Sequence, residues 1–321
     1  MNRMHTLIKG FIALFLAGFV ALASSAMAAE DIPYLLTAAS KGDLETVNAM
    51  LASGVNPNVI DDDGLTALMY AARKDKADVV SALIAKGADI NVRDKGAWTA
   101  LMHAVKKNNI AAAKALLDKG ADFSVRDGAG WSAFGLAAVS GYSSMVELLI
   151  QHGVDVNTKS DDGKTVLMHA AKSGDAATVA ILLDYKADIA ARDGFGETAA
   201  MIAARGGYAP VVQLLLKRGA KVDQKDASKW TALTWAVKKN QIEVAKVLVA
   251  AGANVNNLDS EGTPLLHIAV DNGNDEMVKL LLANNAKVKA RDQYGLTALV
   301  YALKGQHTEI IKLIKEAGGG Y

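Results

Sequence analysis

The sequence predicts an all-α repeat solenoid of about nine helix-turn-helix units joined by hairpin loops, with a cap at each end. Three observations predict it. Alanine recurs every 33 residues without exception, at Ala38, Ala71, Ala104, Ala137, Ala170, Ala203, Ala236, Ala269 and Ala302. Four residues later, Gly42, Asp75, Asn108, Gly141, Gly174, Gly207, Asn240 and Gly273 form a station of residue types that tolerate the left-handed backbone of a helix end. Apolar runs such as Leu148-Leu149-Ile150 and Leu214-Leu215-Leu216 precede a second terminating series, Gly54, Gly87, Gly120, Gly153, Gly219 and Gly252. A fixed period of this length is the signature of stacked units, each burying its apolar face on the next.

Taken in order, residues 1–28 read as a secretory signal peptide. Arg3 and Lys9 form a basic start, Phe11 to Ala23 an apolar stretch, and Ala26-Met27-Ala28 a small-x-small cleavage signature. That apolar run is shorter than the ~20 residues that span a bilayer. Cleavage before Ala29 is therefore expected, leaving residues 29–321 as a repeat domain without a membrane span, periplasmic or secreted. Asp31 to Gly54 reads as an N-terminal helix pair lacking its hairpin. Each inner unit then opens on an acidic turn residue, at Asp61, Asp94, Asp127, Asp193, Asp226, Asp259 and Asp292, with Ser160 as the substitute. Thr66, Thr99, Ser132, Thr165, Thr198, Thr231 and Thr297 lie five residues before the alanines, where a hydroxyl can cap the first helix. The alanine allows close approach of neighbouring helices, and the leucine-rich second helix fills the space between layers. In the last unit Lys315 stands where inner units have Leu, Ile or Val, as a water-facing final layer requires.

The motif within the period resembles the ankyrin repeat. Gly64-Leu65-Thr66-Ala67-Leu68-Met69-Tyr70-Ala71-Ala72 is similar to the family's G-x-T-P-L-H-x-A-A, and Gly87-Ala88-Asp89-Ile90-Asn91 to its G-A-D-V-N. Most units carry Ala or Val in place of the family's Pro, and only His267 occupies its His station. Around Gly262-Thr263-Pro264-Leu265 the Thr-Pro pair is displaced by one place, which puts the local hairpin and cap in question. The repeats occupy nearly everything after the leader, so no length remains for a separate catalytic domain.

Composition narrows the chemistry. Apolar residues make up 51% and charged residues 21%, which fits a folded chain. The net charge is +1, or −1 without Arg3 and Lys9, and this neutrality argues against a nucleic-acid partner. The absence of cysteine excludes disulfides, thiolate metal sites and a nucleophilic thiol. Two matches to a G-x-G-x-x-A dinucleotide fingerprint, at Gly128 to Ala133 and Gly194 to Ala199, fall at one point of the 33-residue register and are hairpin turns, since neither follows a strand. His103 and His169 share a register position two layers apart, too distant for a shared metal. Asp61-Asp62-Asp63 and Asp161-Asp162 read as turn chemistry rather than an acid-base site. No catalytic residue, metal or cofactor is expected.

What the resemblance implies is a protein partner held on a concave face made of hairpin tips and the exposed side of the first helices, by a chain expected to be monomeric. The stations of that face hold Trp98, Trp131 and Trp230 immediately before the repeat Thr or Ser, Phe195 and Tyr294 two residues earlier, and Tyr70, Trp235 and Tyr301 on first helices. Of the sixteen places formed by the last two positions before each first-helix cap in the eight full units, nine are basic, Arg73, Lys74, Lys106, Lys107, Lys172, Arg205, Lys238, Lys239 and Lys304, and only Asp271 is acidic. Exposed aromatics and positive charge suit a binding surface. Two other readings stand beside this one: cations at a helix end complement its dipole, and the indoles can pack between hairpins. An anionic non-protein ligand, such as a cell-envelope glycan or polyphosphate, is the alternative partner, and an enzyme site built on the hairpin tips the weaker one.

Overall fold

The computed structural model describes residues 34–320, so the leader expected at 1–28 lies outside the described residues. By contacts the chain divides into two compact units, Met1–Ala133 and Phe134–Tyr321. Among the described residues both are built only of helices and hairpins.

The first unit begins with helical residues 34–41 (α1), followed by α2 (Leu44–Ala52). Two full repeats follow: α3 (Ala67–Arg73) with α4 (Ala77–Ala85), and α5 (Ala100–Lys106) with α6 (Ile110–Asp118). First helices pack on first helices and second on second, α3 against α5 and α4 against α6. Helix α7 (Ala133–Val139) starts at the junction. The second unit continues with α8 (Ser143–Gln151), α9 (Val166–Ser173), α10 (Ala176–Asp184), α11 (Ala199–Gly206) and α12 (Ala209–Lys217). It ends with α13 (Ala232–Lys238), α14 (Ile242–Ala250), α15 (Leu265–Asp271), α16 (Asp275–Ala283), α17 (Ala298–Lys304) and α18 (Thr308–Glu316).

The local signals act as expected. The hydroxyls of Thr66, Thr99, Thr165, Thr198 and Thr231 accept hydrogen bonds from the backbone three residues on, satisfying a free N–H at each helix start. Thr297 instead donates its hydroxyl to the carbonyl of Gly320, 2.8 Å away, tying down the C-terminal segment. The first-helix terminators adopt positive φ even where they are not glycine, as at Asp75 (54°), Asn108 (55°) and Asn240 (55°). At the displaced Thr-Pro pair the hairpin keeps its register, with Leu258 bridging Pro264, and only the hydroxyl cap is lost. Lys315 is exposed, as a final layer demands.

Asparagines stitch adjacent repeats. Asn58 accepts from the N–H of Asp89 at 2.7 Å and donates to the carbonyl of Gly87 at 3.1 Å, and Asn256 does the same toward Lys287 and Asn285. The periodic alanines from Ala71 to Ala302 have no exposed surface, whereas Ala38 keeps 3%. Replacing Ala170 by Leu is therefore expected to destabilise the fold by about 1–3 kcal/mol, because α9 has no room beside α11 for added methylenes. Denaturant unfolding measures this, and an unchanged midpoint would show that the station is loosely packed.

Candidate functional site

Each hairpin except the one that opens on Ser160 is organised by its opening Asp. In the first unit the Oδ1 of Asp94 accepts from the N–H groups of Gly96 (2.8 Å) and Trp98 (2.9 Å), and Asp127 holds Ala129 and Trp131 in the same way. In the second unit Asp226 holds Ser228 and Trp230, and Asp292 holds Tyr294 and Leu296. These carboxylates fix the backbone that carries the candidate aromatics.

At Asp61, Asp94, Asp226 and Asp292 the second carboxylate oxygen binds a residue nine places on, in the first helix. Tyr70 donates its hydroxyl to Asp61 Oδ2 (2.8 Å), His103 its Nε2–H to Asp94 Oδ2 (2.7 Å), Trp235 its indole N–H to Asp226 Oδ2 (3.0 Å) and Tyr301 its hydroxyl to Asp292 Oδ2 (2.6 Å). The bond to Asp292 pushes the Tyr301 phenol up to about 12. In the repeat that opens on Ser160, its hydroxyl meets His169 Nε2 at 2.9 Å. Tyr70, Trp235 and Tyr301 are thus tethered rather than free-standing. The shared register of His103 and His169 is the visible half of this motif, and the other half was the Asp series itself.

Accessibility grades the aromatics. Phe195 and Tyr294 are 70% and 74% exposed, while Trp98, Trp131, Trp230, Trp235, Tyr70 and Tyr301 are half-buried. Trp98 lies 5.4 Å from the His103 ring, and Trp230 meets Trp235 edge-on at 4.6 Å. The Arg205 guanidinium covers the Trp235 ring at 4.7 Å and pairs with Glu197. Burial raises the Glu197 carboxyl against the opposing pull of Arg205. Neither Glu197 nor Lys164, which lies 2.8 Å from Asp162 and 3.7 Å from buried Asp193, stood out in the sequence, because each is an isolated departure from its repeat station.

The basic row divides. Arg73 lies 5.8 Å from the centre of the Tyr70 ring, and Arg205 is engaged as described. Lys74, Lys106, Lys107, Lys172, Lys238, Lys239 and Lys304 are exposed, and no ion pair holds them among the described residues. In the first unit a cleft of about 380 Å³ is lined by Arg73, Lys95, Lys106 and Lys107, with Asp63, Asp94 and His103 among the facing groups. In the second, a cleft of about 440 Å³ takes in Trp230, Lys238, Tyr294 and Tyr301.

His267 is 1% exposed and donates Nε2–H to the carbonyl of Leu296 at 3.0 Å, a structural role that joins its helix to the next hairpin. Among the described residues, no group of three or more His, Cys, Asp or Glu is placed to hold a metal, and no helix is long and apolar enough to cross a membrane. A family model described as ankyrin repeats (3 copies) matches residues 35–127, 124–193, 187–259 and 251–319. No curated protein matches the chain.

Proposed function

Because this chain belongs to the ankyrin-repeat family, whose repeats are generally protein–protein interaction modules and typically non-enzymatic, we propose that it is an adaptor outside the cytoplasm. It holds a protein partner on the face that hairpin tips and first helices form in each unit. The observation that carries this reading is the row of lysines at the first-helix ends, exposed and without ion pairs among the described residues. A helix dipole rewards each cation of the last turn with about 0.3–1 kcal/mol. It does not account for Lys95, a hairpin residue that joins Lys106 and Lys107 in the first-unit cleft. The export signal read at residues 1–28 supports the location. Acidic side chains of the partner suit the first-unit cleft, and Phe195 and Tyr294 offer it apolar surface.

The partner is to be identified by capture from an extracytoplasmic extract and then titrated as a purified protein. Trp98→Ala with Trp230→Ala is expected to weaken that binding by about 2 kcal/mol or more, with circular dichroism unchanged. Unfolding of this variant would assign the indoles to packing, and Phe195→Ala with Tyr294→Ala would then test the face through its more exposed rings. Changing Lys106, Lys107, Lys238 and Lys239 to Gln is expected to weaken binding chiefly at low salt, since surface charge is screened over about 8 Å at physiological ionic strength. Normal binding at every salt concentration, with reduced thermal stability, would make the row helix-end electrostatics alone. The same lysines would also suit an anionic polymer, and polyphosphate binding that collapses steeply with salt, in place of a captured protein, would favour that second reading.

A further inference from the structure

The second-unit cleft carries a charge opposite to the lysine row. It opens between the hairpins that begin at Asp259 and Asp292, and Lys238 is its single basic residue against Asp259, Glu261, Asp271 and Asp292. Asp271 is the one acidic residue at a first-helix station that is basic in every other full repeat except at Val139. Glu261 and Asp271 are exposed and make no ion pair among the described residues.

Asp259 spends Oδ1 on the N–H groups of Glu261 and Thr263, both at 2.9 Å. The residue nine places on is Ile268, so Oδ2 lacks the tether that occupies Asp226 and Asp292. Aromatic surface lines the same cleft. Tyr294 is 74% exposed, and half-buried Trp230 and Tyr301 lie with it.

His267 also lines the cleft, and its buried Nδ1 has no hydrogen-bond partner among the described residues. With Nε2–H committed to Leu296, that nitrogen is an acceptor. Burial lowers the pKa of this imidazole, so it is neutral at physiological pH.

We propose that this cleft seats an arginine side chain of the protein partner, a reading that rests on the chain being a protein-binding module. The guanidinium is the group that both stacks flat on aromatic rings and offers a fork of N–H donors to carboxylates. Lysine, a compact and strongly hydrated point charge, would use the carboxylates but gain less from the rings.

The test needs no partner. The 15N-labelled full chain is titrated with the blocked tripeptide Ac-Gly-Arg-Gly-NH2, and with its Lys and Gln counterparts, while the tryptophan indole resonances are followed by NMR. The Arg peptide is expected to move the Trp230 resonance saturably, with a dissociation constant on the order of millimolar for so small a ligand. Glu261→Gln with Asp271→Asn, both exposed, should weaken this by about five-fold or more. Tyr294→Ala should weaken it without altering the other indole signals. Equal response to the Gln peptide, or a response unchanged in the carboxamide variant, would overturn the proposal. Equal affinity for the Lys peptide would overturn the choice of arginine. Failure here while a captured protein still binds the lysine face would leave the adaptor reading standing, whereas arginine binding here with no protein captured would leave the cleft's chemical preference standing and overturn its assignment to a protein partner.

Discussion

Replacing Asp226 by Ala is expected to lower stability by about 3 kcal/mol, because one buried carboxylate organises a hairpin and joins it to a helix. Asp226 is 7% exposed. Its Oδ1 receives the N–H groups of Ser228 (2.8 Å) and Trp230 (2.9 Å), and its Oδ2 the indole N–H of Trp235 (3.0 Å). Hydrogen bonds to a charged acceptor contribute about 1.5–3 kcal/mol singly, but members of one group are not additive and water can reach part of the hairpin. Asp226→Asn separates the two functions. Its carbonyl oxygen can serve either the turn or the indole, and in either orientation the NH2 faces another donor, so a cost of about 1–2 kcal/mol is expected. Adding Trp235→Phe should then cost less than the same change in the native chain, since the indole has already lost its acceptor. Urea unfolding followed by circular dichroism measures all four variants, Trp235→Phe alone included. A native midpoint for Asp226→Ala would show that backbone turn propensity holds the hairpin unaided.

Acidification should weaken the fold well above the carboxylate range, through histidine. His169 is 4% exposed, and burial pulls its pKa from 6.5 down to about 4. Burial likewise lowers His103 and His267, opposed at His103 by Asp94 and at His267 by its bond to Leu296. An unfolded chain takes up a proton near pH 6.5, while folded His169 declines it until about pH 4. The unfolded state therefore binds more protons within that window, and stability falls as the pH drops through it. From pH 7.5 to 5 the loss from His169 alone is expected to be roughly 2 kcal/mol, approaching about 3 kcal/mol below pH 4. Burial works against the carboxylates of Asp61 and Asp292, but the hydrogen bonds they accept outweigh it and hold them low, so they contribute only below about pH 3.8. Glu197, raised by burial, acts in the opposite sense. The readout is therefore the difference in slope between the native chain and His169→Gln. Parallel slopes would mean that His169 charges freely in the folded state.

The repeat fold was legible because its causes are local and recur. A small residue at each tight contact, a hydroxyl at each first-helix start and a residue tolerant of positive φ at each helix end are demands of backbone and packing that every unit meets with similar chemistry. Even the displaced Thr263-Pro264 pair changed only a cap, since the Asp259 turn and the Leu258–Pro264 bridge hold the hairpin in register. The aromatic and basic stations could be placed by arithmetic, but their state could not. Whether Trp235 is open to solvent or tied to Asp226 depends on a hydrogen bond nine residues long in sequence and closed only by the turn between. The pairing of Arg205 with Glu197, the burial of Asp193 and the gathering of Glu261, Asp271 and Tyr294 around one cleft bring together residues from separate stations or separate repeats. Periodicity conveys what all units share. The individual chemistry of this protein lies in departures from the period, and their meaning was set by which departures the stacking brought face to face.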